Sequence, residues 1–121
     1  MATAIWIALG GAVGTIARFG IAGAINETGH PWGTVVVNVL GSLALGLIAG
    51  LWGVDHGADH QLAVTVGMLG GFTTFSTFAL DTVQLWENGQ GALAMTTVVI
   101  SVVVGIGAAV GGLAIGRGIA P

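Results

Sequence analysis

The sequence predicts an all-α membrane protein with four transmembrane helices, the third of them broken. Three observations carry that prediction. Of 121 residues, 55% are hydrophobic and only 6% charged, where a soluble domain carries about 25% charged residues. The mean hydropathy is +0.99, and so short a chain has too much surface to hide that much apolar side chain in one core, which leaves lipid as its solvent. The apolar residues also fall into four runs, each close to the ~20 residues a helix needs to cross the hydrocarbon. The length allows one domain, residues 1–121.

The first span runs from about Ala4 to Ile25, with Arg18 in its second half. The second, from about Trp32 to Trp52, has no charge. The third, from about Leu62 to Leu85, holds Asp81 near its end, and the fourth, from about Ala92 to Ile115, is again uncharged. Barrel strands would alternate apolar and polar residues over ~10 positions; runs such as Val98-Val99-Ile100 and Val102-Val103-Val104 do not. Asn26 to Pro31, Gly53 to His60 and Glu87 to Gly91 read as loops from their Gly, Pro, Asn and Asp content. Trp6, Trp32, Trp52 and Trp86 fall near span ends, where an aromatic belt places them. Ala22-Gly23-Ala24 has the look of a signal-peptidase site, but Met1 to Gly10 contains no Lys or Arg, so the first span is expected to be retained. No soluble domain or tail is expected beyond the four spans.

Composition also narrows function. There is no Cys for disulfides, thiolate metal sites or thiol catalysis. The formal net charge of -3 is small, and no basic patch offers itself to nucleic acid or anionic lipid. No nucleophile–base pair or metal-ligand cluster suggests an enzyme; His56 and His60, four apart, read as solvated loop residues rather than as ligands.

The basic residues are Arg18 and Arg117. Four spans put both termini on one side, with Arg117 on that side and Arg18 toward the other. Orientation follows excess Lys and Arg in short cytoplasmic loops, and a balance of one against one sets none. Either other signals orient the chain, or it inserts both ways and two opposed copies form an antiparallel dimer.

Polar residues inside the spans are few and patterned. Small-xxx-small pairs occur in every span: Gly10 and Gly14, Gly46 and Gly50, Gly67 and Gly71, Gly107 and Gly111. These read as close helix contacts. Thr34, Asn38 and Ser42, spaced i, i+4, i+8, share one face of the second span, either as interhelical glue or as a polar track. The fourth span repeats the theme with Thr97, Ser101 and Gly105. In the third span Gly70-Gly71-Phe72-Thr73-Thr74-Phe75-Ser76-Thr77-Phe78 puts two glycines before four hydroxyl residues, a poor sequence for continuous helix. A break there frees backbone groups that must be buried in protein, line a wet cavity or coordinate an ion. Phe75 and Phe78, three apart, share a face, and the positive edge of an aromatic ring can meet an anion.

Three blocks, in order and in three spans, carry a family resemblance: Gly10-Gly11-Ala12-Val13-Gly14-Thr15-Ile16-Ala17-Arg18-Phe19, Gly33-Thr34-Val35-Val36-Val37-Asn38-Val39-Leu40-Gly41-Ser42, and Gly70 to Phe78 with its Thr-Thr-Phe-Ser-Thr-Phe string. With them the chain resembles the small bacterial fluoride channels, the Fluc or CrcB family, over nearly its whole length. The resemblance implies an antiparallel, dual-topology homodimer in the cell (inner or plasma) membrane, with two fluoride pathways and passive export of cytoplasmic fluoride. It implies a structural Na+ at the dimer centre, held by the backbone carbonyls of Gly70 and Thr73. Phe75 and Phe78 match the phenylalanines beside the anion path, Asn38 the pore asparagine and Thr34 the threonine before it. Ser76 and Thr77 match a polar track that Ser101 continues, and Arg18 the arginine of the aqueous vestibule. The chain departs from the family pattern at Asp81, where Glu is usual, and at Thr97 and Gly105, where Tyr and further hydroxyls are frequent.

A coupled small-ion or multidrug antiporter is the alternative. Such proteins normally carry protons on an intramembrane carboxylate; the first, second and fourth spans have none, and Asp81 lies near a helix end.

Overall fold

The computed structural model describes residues 1–26, 31–55 and 57–121. The first predicted loop between Asn26 and Pro31, and His56 of the histidine pair, lie outside the described residues. Four helical spans are long and apolar enough to cross a membrane: α1 (Ala2–Asn26), α2 (Trp32–Trp52), the composite third span Asp59–Glu87, and a last helix Gly91–Ile119. Large apolar side chains lie open on the outside, among them Ile16, Phe19, Val103 and Ile106. Water would reject that surface and lipid accepts it; the chain is a multi-pass membrane protein.

The third span is assembled from pieces. It starts as α3 (Asp59–Leu62), loosens into a π-helical stretch (Ala63–Leu69), tightens into α4 (Gly70–Phe72), and resumes after a gap as α5 (Phe75–Glu87). In the π stretch the Gly70 N–H reaches back to the Thr65 carbonyl. The sequence there, Val64-Thr65-Val66-Gly67, favours α-helix poorly. The Thr65 hydroxyl also takes the Gln61 carbonyl at 2.9 Å, a back-bond that competes with the normal ladder. A tight turn with Gly89 at φ 77° leads into α6 (Gly91–Ile119). α1, the composite third span and α6 extend somewhat past their apolar stretches, whereas α2 coincides with its own.

Glycines decide which helices touch. On α1, a Cβ added to Gly10 or Gly14 would run into the carbonyls of Ala63 or Met68; on the third span, one on Gly67 or Gly71 would meet the carbonyls of Ile7 or Gly11. Those four positions let two backbones close on each other without intervening side chains. The α2–α6 pair is built the same way: Gly46 and Gly50 face the carbonyls of Ala109 and Leu113, while Gly112 and Gly116 face those of Leu43 and Leu47. A Cβ added to Gly107 or Gly111 would meet nothing within 4 Å among the described residues; within the chain α6 meets α2 through Gly112 and Gly116, because those two lie on the side of the helix that faces α2.

The break is also displaced from the glycine pair. Gly70 and Gly71 are helical, and the backbone leaves helical geometry at Thr73 (φ -88°, ψ 155°) and Thr74 (φ -150°, ψ 121°). The Thr73 N–H still closes the last turn on the Leu69 carbonyl at 3.1 Å. Glycine at 71 serves the close approach to α1, and the threonines carry the extended backbone, which suits a β-branched residue.

Candidate functional site

At the break, one side chain replaces the missing helical bonds. The Asn38 Nδ2 donates to the Thr74 carbonyl at 2.9 Å, and the Thr74 N–H donates to Asn38 Oδ1 at 2.7 Å. Asn38 is placed by α2, and Gly41 one turn on leaves room for the Thr73 methyl, which a Cβ at 41 would strike. Because the Thr74 N–H goes to Asn38, it does not return to Gly70, and the Gly70 carbonyl is left without its helical partner. The Thr73 carbonyl receives only a long contact of 3.5 Å from Arg18 Nη1, at the limit of a useful hydrogen bond.

Beyond the break α5 begins, and its N-terminus points into the same region. Thr74 is its N-cap, accepting from the Thr77 N–H at 3.2 Å. The N–H groups of Phe75 and Ser76 have no partner within the helix, and the positive end of the helix dipole gathers there. The Phe75 and Phe78 rings stand 5.8 Å apart at 58°; Phe75 is 79% exposed.

The direction of each hydroxyl separates available donors from committed ones. A Ser or Thr has one proton to give. Thr73 gives it to Leu69, Ser42 to Asn38, Thr82 to Phe78 and Thr97 to Ala94, all to backbone carbonyls. Thr34, 2% exposed, gives its proton to the Asp81 carboxylate at 2.8 Å. Thr74 donates to Thr77 at 3.2 Å and lies 3.4 Å from Ser76; Thr77 receives that bond and keeps its own proton. The Ser101 oxygen is buried without a hydrogen-bond partner among the described residues.

Two clefts meet at Thr74. One, of about 280 Å³, is lined by Asn38, Ser42, Gly70, Thr73, Thr74 and Phe75 with Gly41, Leu45, Thr65 and Leu69. The other, of about 360 Å³, is lined by Arg18, Thr34, Thr74 and Thr77 with Thr15, Phe19, Ala22, Gly23, Asn26 and Val37. The structure therefore brings Asn38, Gly70, Thr73 and Phe75 to one wall and Arg18, Thr34 and Thr77 to the other. Phe78 lines a narrow gap with Thr34 and Asp81. Ser76 and Ser101 line neither cleft. A third cleft of about 280 Å³ opens toward the connecting loops, between Asn26, Pro31, Asp81, Gln84, Leu85, Asn88 and Gln90.

Sequence reasoning missed the role of Thr74. It lies in the Thr-Thr-Phe-Ser-Thr-Phe string, but nothing local distinguishes it from Thr73. The partner of Asp81 was missed as well; a carboxylate three residues after Phe78, on its face of the helix, is the available signal. Among the described residues no three His, Cys, Asp or Glu gather as metal ligands.

Comparison with known proteins gives concordant matches. Residues 5–113 match the family described as CrcB-like protein, Camphor Resistance (CrcB). A protein of Paracoccus denitrificans named fluoride-specific ion channel FluC is 48% identical, with 97% of this chain and 96% of the relative covered. A relative of the same name from Allorhizobium ampelinum is 45% identical over 97% and 98% of the two chains. One from Haloarcula marismortui, fluoride-specific ion channel FluC 2, is 47% identical over 87% and 88%.

Proposed function

This chain belongs to the CrcB-like family, and from that premise we propose that it is a fluoride-selective ion channel, a passive route for fluoride out of the cytoplasm. It is a channel and not an enzyme, and the antiporter alternative falls with the family assignment. The observation that carries the proposal is the break at Thr73 and Thr74, where a half-helix N-terminus, two phenylalanine rings and unspent hydroxyl protons converge inside a membrane span.

Fluoride is small and tightly hydrated, and an isolated ion of that kind in a low dielectric costs tens of kcal/mol by Born estimates. Neutral donors replace part of its water. Thr77 and Ser101 have protons to offer, Ser76 can turn its own from the long 3.4 Å contact with Thr74, and Asn38 uses one of its two amide hydrogens on Thr74 and retains the other. Phe75 and Phe78 present ring edges. None of these traps an anion as a buried ammonium would, which conduction requires. Arg18, in the wider cleft, draws anions toward the path from a vestibule.

The same geometry supports an antiparallel homodimer. The cleft holding Asn38, Gly70 and Thr73 opens on the outside of the chain, where the Gly70 carbonyl has lost its helical partner to Asn38, and lipid cannot satisfy such a group. A second copy, inverted, covers it and brings its own break alongside; the balance of Arg18 and Arg117 permits both insertions.

The residues also fit a structural Na+ at the centre of that dimer. A hard monovalent cation takes uncharged oxygen donors, and the Gly70 carbonyl has lost its helical partner while that of Thr73 has only the 3.5 Å Arg18 contact. Gly70 has open space on its Cβ side, the nearest atom being the Thr65 carbonyl oxygen at 3.9 Å. Bound there, the ion would tie the two breaks together and neutralise the carbonyl dipoles.

The test is efflux from liposomes in a cell-membrane lipid mixture. Purified protein is expected to release fluoride rapidly and chloride hardly at all, with a current that reverses at the fluoride Nernst potential and no proton movement. Equal fluoride and chloride efflux, or a reversal potential that follows the proton gradient, would overturn the proposal.

A further inference from the structure

Taking the fluoride channel of the preceding section as given, we infer that Asp81 is a positioning residue for the anion route: it holds the Thr34 hydroxyl turned away from the anion. The Thr34 oxygen lies 2.8 Å from Asp81 Oδ2. A carboxylate accepts and does not donate, so the hydroxyl proton lies on that line. The proton is therefore not offered to the cleft that Thr34 lines with Arg18, Thr74 and Thr77, and fluoride passing there gains no donor from this hydroxyl.

Thr34 sits one helical turn before Asn38 on the same face of α2, and Asp81 one turn after Phe78 on α5. The bond between them thus spans the two helices that frame the path. With the carboxylate gone, the hydroxyl is free to rotate about its C–O bond and donate into the cleft. A donor there, close to the Arg18 guanidinium, makes a tighter anion site, and a tighter site slows release. Asp81 keeps the cleft a place of passage. Asp81 also lines the loop-side cleft beside Asn26, Gln84 and Asn88.

The experiment compares wild type with Asp81→Ala, Asp81→Ala/Thr34→Val and Asp81→Ala/Thr34→Ser in planar bilayers, reading the fluoride concentration at half-maximal current and the maximal current. Asp81→Ala is expected to lower the half-saturating concentration about tenfold, the scale of one added hydrogen bond to a charged group, and to lower the maximal current with it. Adding Thr34→Val should abolish the tightening, and Thr34→Ser, which restores a hydroxyl, should keep it. A tightening that survives Thr34→Val would come from loss of the negative charge alone and would overturn the inference; so would an unchanged half-saturation in Asp81→Ala. Should Asp81→Ala not assemble, Asp81→Leu, which keeps the volume, carries the same comparison. A wild-type protein that passes no fluoride overturns the channel itself, and is recognised before any variant is read.

Discussion

Asn38 and Thr74 pair through two hydrogen bonds, 2.9 Å from the amide to the carbonyl and 2.7 Å from the backbone N–H to the amide oxygen, across 36 positions of sequence. A single side chain thereby satisfies both backbone groups of the residue at which the third span stops being a helix. Asn38→Leu keeps much of the volume and removes both bonds. The two groups are then unsatisfied in a membrane interior, at about 1–3 kcal/mol each. The expected outcome is near-complete loss of fluoride efflux together with a lower melting temperature in detergent, the stability loss being about 2–6 kcal/mol. Asn38→Asp preserves the acceptor for the Thr74 N–H but sets a carboxylate against its carbonyl, and should fall between. An Asn38→Leu protein that melts with wild type would show that the break does not depend on this pair.

The rings carry a different expectation. Phe78→Ile keeps the site apolar and roughly filled and removes the ring edge. Fluoride efflux should fall about three- to tenfold, since edge interactions of aromatic rings are worth ~0.5–1.5 kcal/mol each. The elution volume in gel filtration should be unchanged. Val103→Leu is the control: Val103 is 64% exposed on α6, and a methylene added toward lipid should leave efflux within about twofold. Wild-type efflux from Phe78→Ile would remove the phenylalanines from the path.

The spans are legible in the sequence because length and apolarity alone set them: Trp32–Trp52 needs nothing but an uncharged run between two tryptophans. The break is legible as a weakness and not as a position. Low helix propensity from Gly70 to Thr77 says that a window is unstable, whereas the peptide at which the helix ends is chosen by Asn38, on another helix. The same holds for Thr34. Its i, i+4, i+8 spacing with Asn38 and Ser42 puts it on a shared face, but which way its proton points depends on Asp81, 47 positions later. Glycine pairs are similarly legible as contact residues without their addresses: Gly46 and Gly50 find α6, while a Cβ at Gly107 or Gly111 finds nothing within 4 Å among the described residues.

That difference is testable by adding one carbon. Gly46→Ala drives a methyl into the Ala109 carbonyl and Gly14→Ala drives one into that of Met68. Each backbone must move, and overpacking costs typically ~1–3 kcal/mol. Both variants should melt lower than wild type. Gly107→Ala meets open space and gains helix propensity, so it should melt at or slightly above wild type, by up to ~1 kcal/mol. A strongly destabilised Gly107→Ala would reveal that the second glycine face of α6 is occupied by another helix in the assembled protein.

Topology gives the last expectation. Arg18 projects into a cleft from the middle of α1, and Arg117 stands exposed in the last turn of α6; they are the basic residues that bias insertion. Because Arg18 is drawn into the protein, its weight as a loop charge is reduced, and Arg117 is one charge at one end. A bias so small leaves both orientations populated. A C-terminal reporter active on only one side of the membrane, fused in parallel with one active on only the other, should signal from both. Two or three Lys placed after Arg117 should draw the C-terminus to the cytoplasm and extinguish the outer signal. An antiparallel dimer needs both orientations, so the same Lys variant should lose fluoride efflux, and co-expression with a partner biased the opposite way should restore it. If the unmodified chain reports from one side alone, the antiparallel homodimer is wrong, and the Gly70 carbonyl, without its helical partner, must be covered by a different surface.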